Sequence, residues 1–202
     1  MQQAELWYLS RATGVVAMVL LSATTFLGVL VAGRAKSKKL PSFARADAHR
    51  YISMLTVVFL AVHVVTALLD PYVNIGWAAV VVPFTSSYER AGIAIGTVGA
   101  DVLLAVGISS ALRTRLPARA WRAVHWAAYL CWPSALVHAL AMGPDTRFAW
   151  ARCLVAACAF VVLGGVAWRV AGAVKVRSSR PHTELEPRRS LLAAITTGAA
   201  SK

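Results

Sequence analysis

Residues 49–63 read HRYISMLTVVFLAVH, an apolar run closed at each end by a histidine. Residues 121–138 read WRAVHWAAYLCWPSALVH, and carry histidines at 125 and 138. His49 and His63 are 14 residues apart. That is roughly 21 Å along a helix, and 14 steps of 100° return to within about 40° of the same face. His125 and His138 are 13 apart, roughly 20 Å along the axis. Each run therefore offers one imidazole near each end of a membrane-length helix. Ionisable groups at that depth are costly and functional by default. The fifth histidine, His182, falls in a polar tail and reads as solvent-exposed.

Working outward, five segments are long and apolar enough to span a bilayer, which needs about 20 helical residues. They run from about 12 to 32, 49 to 69, 91 to 112, 121 to 142 and 148 to 170. Asp70-Pro71, Pro117, Gly143-Pro144-Asp145 and Pro181 all fall outside them, as chain-breaking residues should. The shorter run Ile75 to Phe84 reads as an interfacial or re-entrant piece with Trp77 at headgroup depth. The expected fold is thus all-α, an integral membrane bundle of five transmembrane helices over residues 1–172. A short basic tail follows over 173–202, in which Leu191 to Ile195 is at most a small surface helix. The first run is preceded by Glu5 and Arg11 rather than a basic segment, so it reads as a retained anchor and not a cleaved signal.

Composition agrees. Of the 202 residues 58% are hydrophobic and 14% charged, and the mean hydropathy is +0.63, well above soluble domains. The formal net charge of +13 does not argue for nucleic acid, because the basic residues lie between apolar runs rather than on one face. The segment 33–50 carries Arg34, Lys36, Lys38, Lys39, Arg45 and Arg50, and 113–122 carries Arg113, Arg115, Arg119 and Arg122. The C-terminal region carries Arg169, Lys175, Arg177, Arg180, Arg188, Arg189 and Lys202, whereas the other side has only Arg11, Arg90, Arg147 and Arg152. Positive-inside places both basic loops and the C-terminus in the cytoplasm and the N-terminus outside, in a multi-pass plasma-membrane protein. Cys131, Cys153 and Cys158 form no CxxC pair and read as small apolar residues.

The histidine helices both start in a cytoplasmic loop and are therefore parallel. His49 comes level with His125 on the inner side, and His63 with His138 on the outer side. Facing imidazoles suit a bis-histidine haem site. Packing histidines or zinc ligands are the competing readings. Zinc needs all its ligands within about 2.0–2.1 Å of one ion, which histidines roughly 20 Å apart on one helix do not allow. One feature resists: thirteen steps leave His138 about 140° out of phase with His125 on an ideal helix. Pro133 lies between them and removes the hydrogen bond to the Tyr129 carbonyl, which would rephase His138.

At these residues the chain resembles the ferric reductase transmembrane domain family. That family includes the membrane part of NADPH oxidases and the haem-binding membrane subunit of the bacterial methionine sulfoxide reductase system. The resemblance is carried by His49-Arg50 through Val62-His63, by Trp121-Arg122 through His125, and by Tyr129 and His138. Asp70-Pro71-Tyr72-Val73, Ile75-Gly76-Trp77, Val82-Pro83-Phe84 and Gly96-Thr97 belong to it too, and it spans about residues 7 to 150. It implies two b haems, inner on His49/His125 and outer on His63/His138, and transmembrane electron transfer. The family's oxidases carry a cytoplasmic FAD and NADPH domain. About thirty residues follow the last run here, too few for such a fold. The implied protein is an oxidoreductase component fed by a separate flavoprotein, quinol or partner subunit, with an external acceptor. It sits in lipid, alone or as a homo- or hetero-oligomer.

Other polar residues have weaker assignments. Arg50, Arg122 and Arg11 are candidate partners for haem propionates, with Arg45, Arg119, Arg90 and Arg147 nearby; plain topological charge is the alternative. Gly92, Gly96 and Gly99 follow no strand, so they form no dinucleotide loop and suit close helix packing. Asp101, mid-span, reads as a hydrogen-bonding or proton-relay group. Phe59 and Trp132 lie between the histidine levels and read as gap-fillers or ordinary packing. A b-type cytochrome subunit of a quinol-linked complex and a non-redox small transporter or haem carrier remain open. The chain shows no inverted repeat or discontinuous helices to favour a transporter.

Overall fold

The computed structural model describes residues 2–33, 41–71 and 73–178, and five long helices account for most of them. Arg34, Lys36, Lys38, Lys39, Tyr72, His182 and the segment 191–195 lie outside the described residues. The helices are α1 (Gln2–Ala32), α2 (Ser42–Leu69), α3 (Arg90–Ala111), α4 (Ala118–Met142) and α5 (Ala149–Ser178). There is no strand among the described residues. Four helices, α1, α2, α3 and α5, are long and apolar enough to cross a membrane. The fourth of the expected spans departs from this. α4 has 25 residues, ample length at 1.5 Å each, but Arg119, Arg122, His125 and His138 dilute its apolar content.

The helices outrun the apolar segments at their polar ends. Pro41 stands just before α2 and Pro117 just before α4, each in extended backbone. Proline has no N–H to donate and its fixed φ suits a helix entrance. The first helical bonds then run from Arg45 N–H to the Pro41 carbonyl and from Trp121 N–H to the Pro117 carbonyl. Each histidine helix therefore begins with the same register: proline, four residues to Arg45 or Trp121, four more to His49 or His125.

Residues up to Gly165 form one unit. Within it α1 runs antiparallel to α2, since Thr24 meets His49 and Ser10 meets His63. α3 runs antiparallel to α4: Gly92 lies by Met142, Gly96 by His138 and Gly99 by Ser134. Met18, Leu21, Cys131, Trp132, Cys158 and Val162 make the apolar core, with Val102 and Leu103 packed against it. α5 closes on α1 at Gly165, where a Cβ would come within 2.8 Å of the Phe26 ring. Between α2 and α3, Trp77–Val80 makes one short 3-10 turn, and its Ala79 carbonyl accepts from Thr97 Oγ1 at 2.7 Å. The second unit begins at Val166; its described part is the end of α5, where Trp168, Val170 and Val174 are exposed.

Candidate functional site: two facing histidine pairs

The four histidines meet in two pairs. His49 and His125 have ring centres 6.3 Å apart, and His63 and His138 have ring centres 6.4 Å apart. The planes within each pair cross at 74° and 78°. An iron bonded at ~2 Å to one nitrogen of each ring would set the ring centres roughly 6 Å apart. α2 and α4 hold these pairs in parallel, one pair toward each end. α4 continues as one helix through Pro133, and both of its histidines reach their α2 partners despite the 13-residue spacing.

Three of the four rings are fixed the same way. His63 Nδ1–H donates to the Ser10 carbonyl at 2.8 Å, His49 Nδ1–H to the Thr24 carbonyl at 3.1 Å, and His138 Nδ1–H to the Gly92 carbonyl at 2.8 Å. In each case a glycine sits four residues after the accepting carbonyl: Gly14, Gly28 and Gly96. A helical side chain lies over the turn N-terminal to its own Cα, so a residue at that position would cover the carbonyl. A Cβ would stand 2.9 Å from His63 at Gly14, 3.3 Å from His49 at Gly28, and 2.6 Å from His138 at Gly96. The carbonyl keeps its helical bond and takes the imidazole on its second lone pair. This fixes the tautomer and leaves Nε2 of each of these three rings as the unprotonated nitrogen.

His125 is held differently. Its ring stacks on Trp121, 5.0 Å between centres and 24° between planes. The Arg113 guanidinium lies over the other partner of that stack, 4.7 Å from the Trp121 ring centre. Three buried donor atoms at this end, His125 Nδ1, Trp121 Nε1 and Arg45 Nε, have no hydrogen-bond partner among the described residues.

Between the two levels lie several buried side chains. Trp132 is buried and its indole N–H donates to Ser22 Oγ at 2.9 Å; Ser22 in turn donates to the Met18 carbonyl. Thr24 and Thr56 share a hydroxyl bond of 3.2 Å, and Cys131 is fully buried. Phe59 is half-buried. Of the candidate arginines, Arg50 and Arg122 are exposed. Arg11 forms an ion pair with Asp145 and lies over the Trp7 ring, 3.9 Å from its centre. Asp101 is half-buried on the face of α3 that also exposes Val98, Leu104 and Ile108. Gly99 does serve close packing, against Ser134 and the Cys131 carbonyl, whereas Gly96 makes room for a histidine.

The residues fit an axially ligated haem at each level. No group of three or more His, Cys, Asp or Glu gathers among the described residues, whereas a protein-only zinc site takes three or four ligands. Two opposed imidazoles at each level, three of the four backed by backbone carbonyls, would suit a metal whose other ligands come with a macrocycle.

Comparison with known families matches residues 13–136 to the ferric reductase like transmembrane component. The match takes in His49, His63 and His125 and ends two residues before His138. No curated protein and no solved structure matches.

Proposed function

The chain belongs to the ferric reductase-like transmembrane family, and on that premise we propose that it carries electrons across the membrane through two bis-histidine b haems. His49 and His125 would hold the inner haem, and His63 and His138 the outer. The observation that carries this reading is the pair of ring separations, 6.3 and 6.4 Å, with three of the four rings bonded through Nδ1 to backbone carbonyls. Haem bound there supplies a one-electron iron couple whose potential follows from its ligands and surroundings.

The protein's own residues do the rest. Gly14, Gly28 and Gly96 admit the rings, and Ser10, Thr24 and Gly92 orient them. Trp132, Thr56 and Cys131 keep water out of the space between levels, which preserves a low dielectric along the path. α4 crosses with the other four helices in this reading, its histidines turned toward α2 rather than toward lipid. The basic segments after α1 and before α4 lie in the cytoplasm, and a separate flavoprotein or quinol delivers electrons for an external acceptor. Arg50 and Arg122, exposed beside the inner pair, add positive charge where a donor would dock.

The test is electron transfer across a sealed bilayer. Vesicles containing the purified protein, with a ferric chelate trapped inside and a membrane-impermeant reductant outside, should reduce the chelate. His63→Ala should abolish that reduction. Equal rates in protein-free vesicles would end the proposal.

A further inference from the structure

The three unpartnered donors all belong to the first turns of α2 and α4, at the level of the His49–His125 pair. Arg45 precedes His49 by four residues and Trp121 precedes His125 by four, so each sits one turn back on its histidine's face. The proline register at the two helix starts sets Arg45 and Trp121 at the same level. The Trp121 ring is stacked on His125, which aims that end of the cluster into the gap between α2 and α4. A buried donor without an acceptor forfeits its hydration with nothing in return, more so when charged, and each such group in a native site calls for an explanation. With Arg113 over the indole, the local charge is positive. What such a cluster recognises is an anionic oxygen pair.

We infer that Arg45 and Trp121 form a carboxylate-binding site that takes a propionate of the haem held by His49 and His125. This rests on the haem reading above. Haem carries its two carboxylates on one edge, and carboxylates avoid the hydrocarbon, so that edge belongs at the polar ends of α2 and α4. Arg45 offers a guanidinium suited to a carboxylate and Trp121 a single N–H. Arg50 and Arg122, one and three residues from His49 and His125, are exposed instead. A lipid phosphate has the same chemistry, but it would reach the exposed arginines first.

The experiment uses the full-length protein purified with its haem. Arg45→Gln, Arg45→Lys and Trp121→Phe are compared with wild type by haem per chain, by haem transfer to excess apomyoglobin, and by redox titration. Phenylalanine keeps the ring on His125 and removes only the N–H. Arg45→Gln should speed transfer of one of the two haems about tenfold or more, the worth of one charge-assisted bond, and lower the potential of that haem alone. Arg45→Lys should recover part of both changes, and Trp121→Phe should show a smaller change in the same haem. Should Arg45→Gln not fold, the other two variants decide. Unchanged transfer and potential in the variants, or loss of co-purifying anionic phospholipid with haem unaffected, overturns the inference. His125→Ala is run alongside. If it removes one haem while the Arg45 and Trp121 variants alter nothing, only the propionate assignment falls; if wild type holds no haem, the underlying reading falls.

Discussion

His63 Nδ1–H donates to the carbonyl of Ser10 at 2.8 Å, over the bare Cα of Gly14. The same arrangement recurs at Thr24 with His49 and at Gly92 with His138. Gly14 and Gly28 are 14 apart, as are Ser10 and Thr24, which matches the 14 between His49 and His63 on the antiparallel helix. α1 is therefore a ruler for α2: its carbonyls set the height and rotation of both imidazoles.

Gly14→Leu should displace His63 and spare His49. A Cβ there already comes within 2.9 Å of the ring, so the protein should lose the outer haem or hold it about 10–100-fold more weakly, the usual cost of losing an outer-shell partner. Gly28→Ala should be milder, because its clearance is 3.3 Å. Haem per chain and competition with apomyoglobin measure both. Equal effects of the two substitutions on the two haems would contradict the ruler.

The two levels should differ in potential. Both outer imidazoles donate to carbonyls, which raises their basicity and favours ferric iron; of the inner pair only His49 does. Arg113, over the Trp121 ring beside His125, adds positive charge that favours the reduced inner site. Redox titration should resolve two components, and the Gly14→Leu variant should lose the lower one. Loss of the higher component would reverse the assignment.

The imidazole planes cross at 74° and 78°. Near-perpendicular axial rings give low-spin ferric haem a strongly anisotropic signal. Frozen-solution electron paramagnetic resonance should show that type at both sites, without the well-resolved rhombic signal of parallel rings.

Pro133→Ala restores an N–H to the middle of α4, which can then bond the Tyr129 carbonyl. If the proline supplies the phase that 13 residues lack, His138 should swing away from His63. The outer haem should be lost or weakened, with the inner one and the helix content by circular dichroism unchanged. Both haems retained at wild-type strength would show that the phase comes from elsewhere.

Much of this was legible beforehand, and the omissions have physical causes. The histidine spacings and apolar runs point to paired levels on long helices, and His49 and His63 do meet His125 and His138. The helix starts were not legible from hydropathy, because Pro41 and Pro117 extend α2 and α4 into polar sequence that no apolar window includes. α4 looks like a span by length, but its arginines and histidines leave it less apolar than the other four. Gly14 and Gly28 carry a readable signal, a 14-residue spacing that echoes the histidines. It is easily passed over because glycine in an apolar helix ordinarily means close packing, which is what Gly99 does. Arg11 illustrates a limit of chain proximity: it lies beside Ser10, yet its partner is Asp145 at the start of the turn before α5, 134 residues away.

The most direct test of the central claim is haem content per polypeptide. Pyridine haemochrome and reduced-minus-oxidised spectra would be taken on the purified protein beside His63→Ala and His125→Ala. Two b haems per wild-type chain, with each variant losing about one, is the predicted result. No haem, or one haem indifferent to both substitutions, would contradict the two-level site.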